Sequence, residues 1–324
     1  MSPSFSLPGN PTSDAATKAR RWFGFLTRAL IGLCLLTMLM GPLVRAESAG
    51  LACPDWPLCH GHVVPWGLGY QVALEFGHRA VAGCLSLVFL GWLLLVLTQL
   101  ELRKNYLVPA LLALALLTSQ VLLGMLTITE QLDVYVVNSH LLNAVLLLSV
   151  LTYIWKKSYG IPRASIPAAG RWIAGVVLVM IFLQLFLGGR VSTHAAGRVC
   201  STFPACYEET RVDANGEARN VPIYFPRMIG SVERHMTHRF MAYALVLAVI
   251  GLAAIAERQK WPPRARNLTW ILAALIAVQI FVGALNVILH VPVTITVVHS
   301  GFAYAIFLSA LILRLELGFD RVLG

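Results

Sequence analysis

Apolar residues in this chain come in long, nearly unbroken runs, without the strict alternation of half-buried strands or the single apolar stripe of soluble helices. A run of about twenty such residues crosses a bilayer as a helix. Eight occur, at approximately 22–43, 72–99, 107–128, 134–155, 171–190, 231–256, 268–289 and 294–315. The pattern predicts an all-α membrane protein of eight transmembrane helices in contact with the lipid bilayer. Composition agrees, since 58% of the 324 residues are hydrophobic and 12% charged, too apolar for an ordinary soluble domain.

The runs also repeat. Gly41, Val44, Gly50, Cys53 and Cys59 align with Gly188, Val191, Gly197, Cys200 and Cys206 at a constant shift of 147. The shift becomes 160 between His78 and His238, so the later loop holds about thirteen extra residues, centred on the polar Glu208–Asn220 stretch. It settles at 159, where Gln120, Gly124 and His140 match Gln279, Gly283 and His299. Four spans per repeat is an even number, so the halves share one orientation and should be related by a pseudo-two-fold axis along the membrane normal. The repeat predicts two pseudo-symmetric four-helix bundles, 22–155 and 171–316, joined by a cytoplasmic linker at 156–170. Residues 1–21 read as a disordered cytoplasmic tail and 317–324 as a second, shorter tail. Gly124 and Gly283 read as close-packing points between helices.

The net charge of +10 raises nucleic acid as a partner, but position excludes it, because the basic residues sit in short connections between spans. Sixteen of the 25 lie on the N-terminal side of the membrane and six on the other. That bias predicts an inner (cell) membrane protein of bacterial type with both termini cytoplasmic. Of the six cysteines, Cys34 and Cys84 fall inside spans as small apolar residues. Cys53, Cys59, Cys200 and Cys206 fall in external loops, an oxidising compartment that favours two local disulfides. A four-cysteine zinc site is the competing reading, and its spacings are unlike the usual short gaps.

Chemistry concentrates in Glu75-Phe-Gly-His78-Arg79 and its copy His235-Met-Thr-His238-Arg239. Ionisable groups in a membrane helix lose hydration and point to function. Glu75 and His78 share a helix face, and His78, His140, His238 and His299 all enter their spans at similar depth. Imidazole suits iron, copper and zinc, and two opposed histidines per bundle with little else polar favour a planar metal macrocycle, best a haem. Arg79 and Arg239 then become candidates for neutralising propionates, with snorkelling to the headgroups as the plainer alternative.

Taken together, Val44-Arg45, Gly50, Cys53-Pro-Asp-Trp-Pro-Leu-Cys59, Glu75-x-x-His78-Arg79, the second cysteine pair and the four repeated histidines resemble the haem A synthase family over roughly residues 25–315. The resemblance implies conversion of haem O to haem A, by two successive hydroxylations of the C8 methyl and loss of water to leave a formyl group. It implies that His78 and His140 hold the substrate haem with catalytic Glu75 at the reacting edge, and that His238 and His299 ligate a haem b cofactor. A membrane farnesyltransferase is then the candidate donor of haem O, the electron donor is unknown, and homo-oligomer formation is left open. The second loop lacks the Asp55-Trp56 of the first, which marks Cys53–Cys59 as the candidate redox pair. A di-haem b electron-transfer cytochrome, with symmetric halves, is the alternative from another class; a transporter would need a polar midplane path that the sequence does not offer.

Overall fold

The computed structural model describes residues 11–160, 166–200, 202–212, 214–223 and 230–318. Eight helices carry the fold: α1 (Pro11–Ala46), α2 (Tyr70–Thr98), α3 (Leu100–Thr129), α4 (Val134–Ser158), α5 (Ala168–Thr193), α6 (Ser231–Arg258), α7 (Pro263–Ile288) and α8 (Val293–Glu316). Each is long and apolar enough to cross a membrane; the 29 residues of α2 span roughly 40 Å. Only 17% to 33% of each span's most apolar window is buried within the protein. The remaining apolar side chains, such as Leu87, Val108 and Leu247, face outward, as a bilayer allows and water does not.

Local chemistry sets the helix ends. Asp133 caps α4, accepting from the N–H groups of Tyr135 and Val136 at 2.9 and 3.1 Å. Pro167, Pro262 and Pro292 occupy the N-caps of α5, α7 and α8, where no intrahelical N–H is lost. Gln99, in an extended conformation, is the single residue between α2 and α3. Helix α3 therefore begins seven residues before its apolar run, because Glu101, Arg103 and Lys104 are good helix formers that carry it past the bilayer core. Helix α1 likewise begins at Pro11, so residues 11–21, expected in a tail, are helical; Ala15, Ala16 and Ala19 favour that state. The remaining tail and linker residues, 1–10, 161–165 and 319–324, lie outside the described residues.

The helices pack as two rings of four. In the first, α1 meets α2 and α4, and α3 meets the same two; in the second, α5 meets α6 and α8, and α7 meets the same two. The rings join through α1, α4, α5 and α8. Across this seam the buried Lys156 ammonium lies 2.5 Å from Glu316, which Arg264 also approaches at 2.9 Å. Between halves the repeat extends to the backbone. Ser48 and Ala195 are both left-handed, as are Gln131-Leu132 and His290-Val291. Each such residue costs about 1–2 kcal/mol. The cost is offset by hydrogen bonds from Leu132 N–H to Thr127 (2.8 Å) and from Val291 N–H to Asn286 (2.7 Å), and these carbonyls are again 159 apart. A Cβ on Gly50 would sit 3.3 Å from Leu132, and one on Gly197 3.6 Å from Val291, so both glycines let a cysteine loop rest on the turn below.

One element departs from the all-helical expectation. The inserted loop folds into an antiparallel hairpin of β1 (Cys206–Val212) and β2 (Ala218–Ile223), pairing Cys206 with Ile223 and Val212 with Ala218. Its sequence signal is Asn215-Gly216, a hairpin turn pair in which Gly216 takes φ 83°. The hairpin sits in a loop between spans, so the membrane part stays all-α.

Candidate functional site

Three of the four histidines are built the same way. His140 on α4 lies with Nε2 3.3 Å from the Gln120 amide of α3, His238 on α6 3.5 Å from that of Gln184 on α5, and His299 on α8 3.2 Å from that of Gln279 on α7. One turn after each glutamine stands a glycine on the same face. A Cβ on Gly124, Gly188 or Gly283 would come within 3.3, 3.1 and 3.0 Å of its histidine's Cε1. Gly124 and Gly283, expected to serve helix packing, make room for imidazoles, and so does Gly188. His78 differs: in place of the glutamine stands Thr37, with no side-chain amide to offer, and Gly41, the counterpart of Gly188, has open space beyond it. Gln184 was not among the residues the sequence singled out; the Gln-x-x-x-Gly spacing shared by α3, α5 and α7 is the signal that finds it.

All four rings share one further property, which is that Nδ1 is buried and without a hydrogen-bond partner. Four orphaned ring nitrogens at repeated positions are costly unless something else occupies them. The His238 and His299 ring centres are 6.5 Å apart. With a metal–imidazole bond of about 2.0 Å and about 1.1 Å from nitrogen to ring centre, two coaxial imidazoles on one metal are separated by ~6 Å. His78 and His140 are likewise within electrostatic reach of each other. Among the described residues no group of three or more His, Cys, Asp or Glu gathers as a metal-ion site would need. Paired imidazoles without further donors suit a macrocycle that supplies its own equatorial ligands.

Above the histidines, each cysteine loop is closed by a disulfide. Cys53–Cys59 and Cys200–Cys206 have Cα separations of 4.7 and 5.1 Å. Each loop is held by the arginine that follows a histidine. Arg79 donates from Nη1 to the carbonyls of Asp55 and Leu58 at 2.7 and 2.8 Å, and from Nη2 to that of Cys53 at 2.9 Å. Arg239 repeats the arrangement, donating to the carbonyls of Thr202, Ala205 and Cys200, each 147 residues on. Both guanidiniums therefore clamp loops, and propionate binding, expected from the sequence, would compete with those bonds.

The halves diverge one turn earlier on the helix. Glu75, 3% exposed, pairs with Arg79 at 2.5 Å through Oε1 and accepts the Cys53 N–H at 2.8 Å through Oε2. In the second half His235 takes this place, and its Nδ1 lies 2.8 Å from the Ala196 carbonyl. Asp55 stiffens the first loop alone, its carboxylate accepting from the N–H groups of Gly61 (2.8 Å) and His60 (2.6 Å). The Gly61 N–H chiefly, with that of His60, holds the Asp55 carboxyl below the usual carboxylate range.

Fold and site together define a membrane protein of two like helix rings, each offering a pair of imidazoles beneath a disulfide-closed lid. Comparison with known proteins leads to the same place. A profile of the COX15-CtaA family, described as cytochrome oxidase assembly protein, matches residues 67–311. The heme A synthase of Shewanella oneidensis is 29% identical over 320 residues, covering 88% of this chain and 93% of that protein. The heme A synthases of Lysinibacillus sphaericus and Bartonella henselae are 25% and 24% identical, covering 86% and 93% of this chain and 89% and 94% of theirs. The chain belongs to the COX15-CtaA family of cytochrome oxidase assembly proteins.

Proposed function

We propose that this protein is a haem A synthase, a membrane oxidoreductase that converts the C8 methyl of haem O to a formyl group. The observation that carries the reading is the buried Glu75, fixed at both carboxylate oxygens one turn before His78 and without an acidic counterpart in the second half. Substrate haem O belongs between His78 and His140, where Glu75 is held to take up or hand on a proton at the methyl edge. Haem b, held by His238 and His299, supplies one-electron redox chemistry when bound. Arg79 orients Glu75 and closes the Cys53–Cys59 lid over the site, limiting access of water. The termini face the cytoplasm and the disulfide loops the outer side of an inner membrane, which fits the excess of basic residues on the terminal side.

The test is chromatography of haems extracted from the purified protein and its Glu75→Gln variant. The wild type is expected to carry haem b together with haem O, a hydroxylated intermediate or haem A. Glu75→Gln keeps the side chain's shape, so it should retain haem b while haem A formation falls by about 10²-fold or more. Haem b alone in both, with equal occupancy of the two halves, supports the di-haem electron-transfer cytochrome instead.

A further inference from the structure

At the end of the molecule away from the cysteine loops, the first turns of α3 and the end of α4 border an open cavity of about 660 Å³, within the range of ligand sites. Arg103, Lys104 and Lys157 line its polar side, and Leu107, Val108 and Pro109 its apolar side. The nearby acid Glu101 does not cancel this charge, because Arg20 holds its carboxylate at 2.5 Å. Lys157 is fixed in place, donating to the Asn105 carbonyl at 2.7 Å with its ammonium 5.4 Å from the Tyr106 ring centre. The α3 N-terminus beside it has no side-chain cap, so the positive end of the helix dipole adds to the field. The apolar wall continues outward, with Val108 78% exposed and Leu111 and Leu112 beyond it.

The repeat shows that the cations at this cavity are not a property of the duplicated fold. At the 159-residue shift Arg103, Lys104 and Lys157 become Pro262, Pro263 and Glu316, and Glu316 is spent on the seam with Lys156. The second half keeps the helices, and its cations at this level, Arg264 and Arg266, are paired with Glu316 and Glu257.

We propose that the cavity binds the phosphate headgroup of an anionic phospholipid, with the acyl chains lying along Val108, Leu111 and Leu112. Phosphate is the chemistry shared with a free anion, and the apolar wall commits the site to the lipid. The cations supply charge at headgroup level, and the wall offers the chains a surface that inorganic phosphate cannot use.

The test is native mass spectrometry of the whole delipidated chain in a neutral detergent, with phosphatidylglycerol, phosphatidylcholine and inorganic phosphate added separately. Phosphatidylglycerol adducts are expected to dominate. Arg103→Gln/Lys104→Gln should weaken them by roughly 25-fold, at about fivefold per cation removed. Arg103→Lys/Lys104→Arg should retain them. Arg258→Gln/Lys260→Gln removes the same charge at the same end of the molecule but outside the cavity, and should change binding by less than about threefold. Equal binding of phosphatidylcholine by the wild type, an equal loss in the Arg258/Lys260 variant, or displacement of the lipid by inorganic phosphate overturns the proposal. The first and last comparisons need no variant to fold.

Discussion

The two cysteine loops are clamped alike and equipped differently. Arg79 and Arg239 reach corresponding carbonyls in the two halves, and each lid hangs from a disulfide of the same span. One turn earlier on the same helices, Glu75 engages Arg79 and the Cys53 N–H whereas His235 meets the Ala196 carbonyl. The comparison separates scaffold from chemistry. In the proposed function, what the halves share holds a haem, and what they do not share marks the half where the substrate is changed.

The largest expected effect comes from taking the halves apart at their histidines. Replacing His238 or His299 by Ala should abolish the low-spin b-type absorption, because six-coordination needs both imidazoles. His78→Ala or His140→Ala should preserve that spectrum and abolish conversion of haem O. Spectra of each variant beside chromatography of its extracted haems make the measurement, and loss of one common component in all four would end the division of labour.

Next in size is the clamp. Arg79→Met leaves the buried Glu75 charge unpaired and should cost about 3–5 kcal/mol. Arg239→Met strands no carboxylate and should cost about 1–3 kcal/mol. Thermal unfolding in detergent can rank the two, and a larger loss in the second half would contradict the role given to Glu75.

A smaller asymmetry lies in the glycines. Gly188→Ala must push against His238 and should destabilise by about 1–3 kcal/mol, with a shifted b-type spectrum. Gly41→Ala meets open space and should be neutral or stabilising by up to about 1 kcal/mol, since alanine suits a helix better. Equal effects would show that the four histidine sites are more alike than their surroundings indicate.

The smallest effect is one of pH. The folded Asp55 carboxyl titrates below its ordinary value of 3.8. Its contribution to the first lid is therefore complete above that value and is lost as pH falls through the depressed one. Asp55→Asn should remove this acid sensitivity from the first loop, with none to remove in the second. Hydrogen exchange of the Gly61 amide at low pH reads it.

Much of this was legible because a membrane imposes simple rules on a chain. Eight runs became eight helices with ends displaced mainly where charged helix formers extend them, as at Leu100. The repeat located the paired histidines and cysteines because a fixed shift preserves register. The hairpin was missed although Asn215-Gly216 announced it, because one short turn signal weighs little beside eight long apolar runs. For Arg79 and Arg239 the sequence offered propionates or snorkelling, because charge beside a histidine names no partner; the loop carbonyls they also reach are 21 to 39 residues away in sequence.

The sequence by itself determined the spans, the duplication, the four histidines and the unmatched acids Glu75 and Asp55, since hydropathy and spacing are properties of the chain read in one dimension. Only the tertiary structure decided what each polar group touches. Gly188 faces an imidazole, Glu75 takes the Cys53 N–H, and Lys156 crosses the seam to Glu316. In a low-dielectric interior a polar group must find its partner within hydrogen-bond distance, and which groups come that close is set by how the helices pack, which spacing along the chain does not encode.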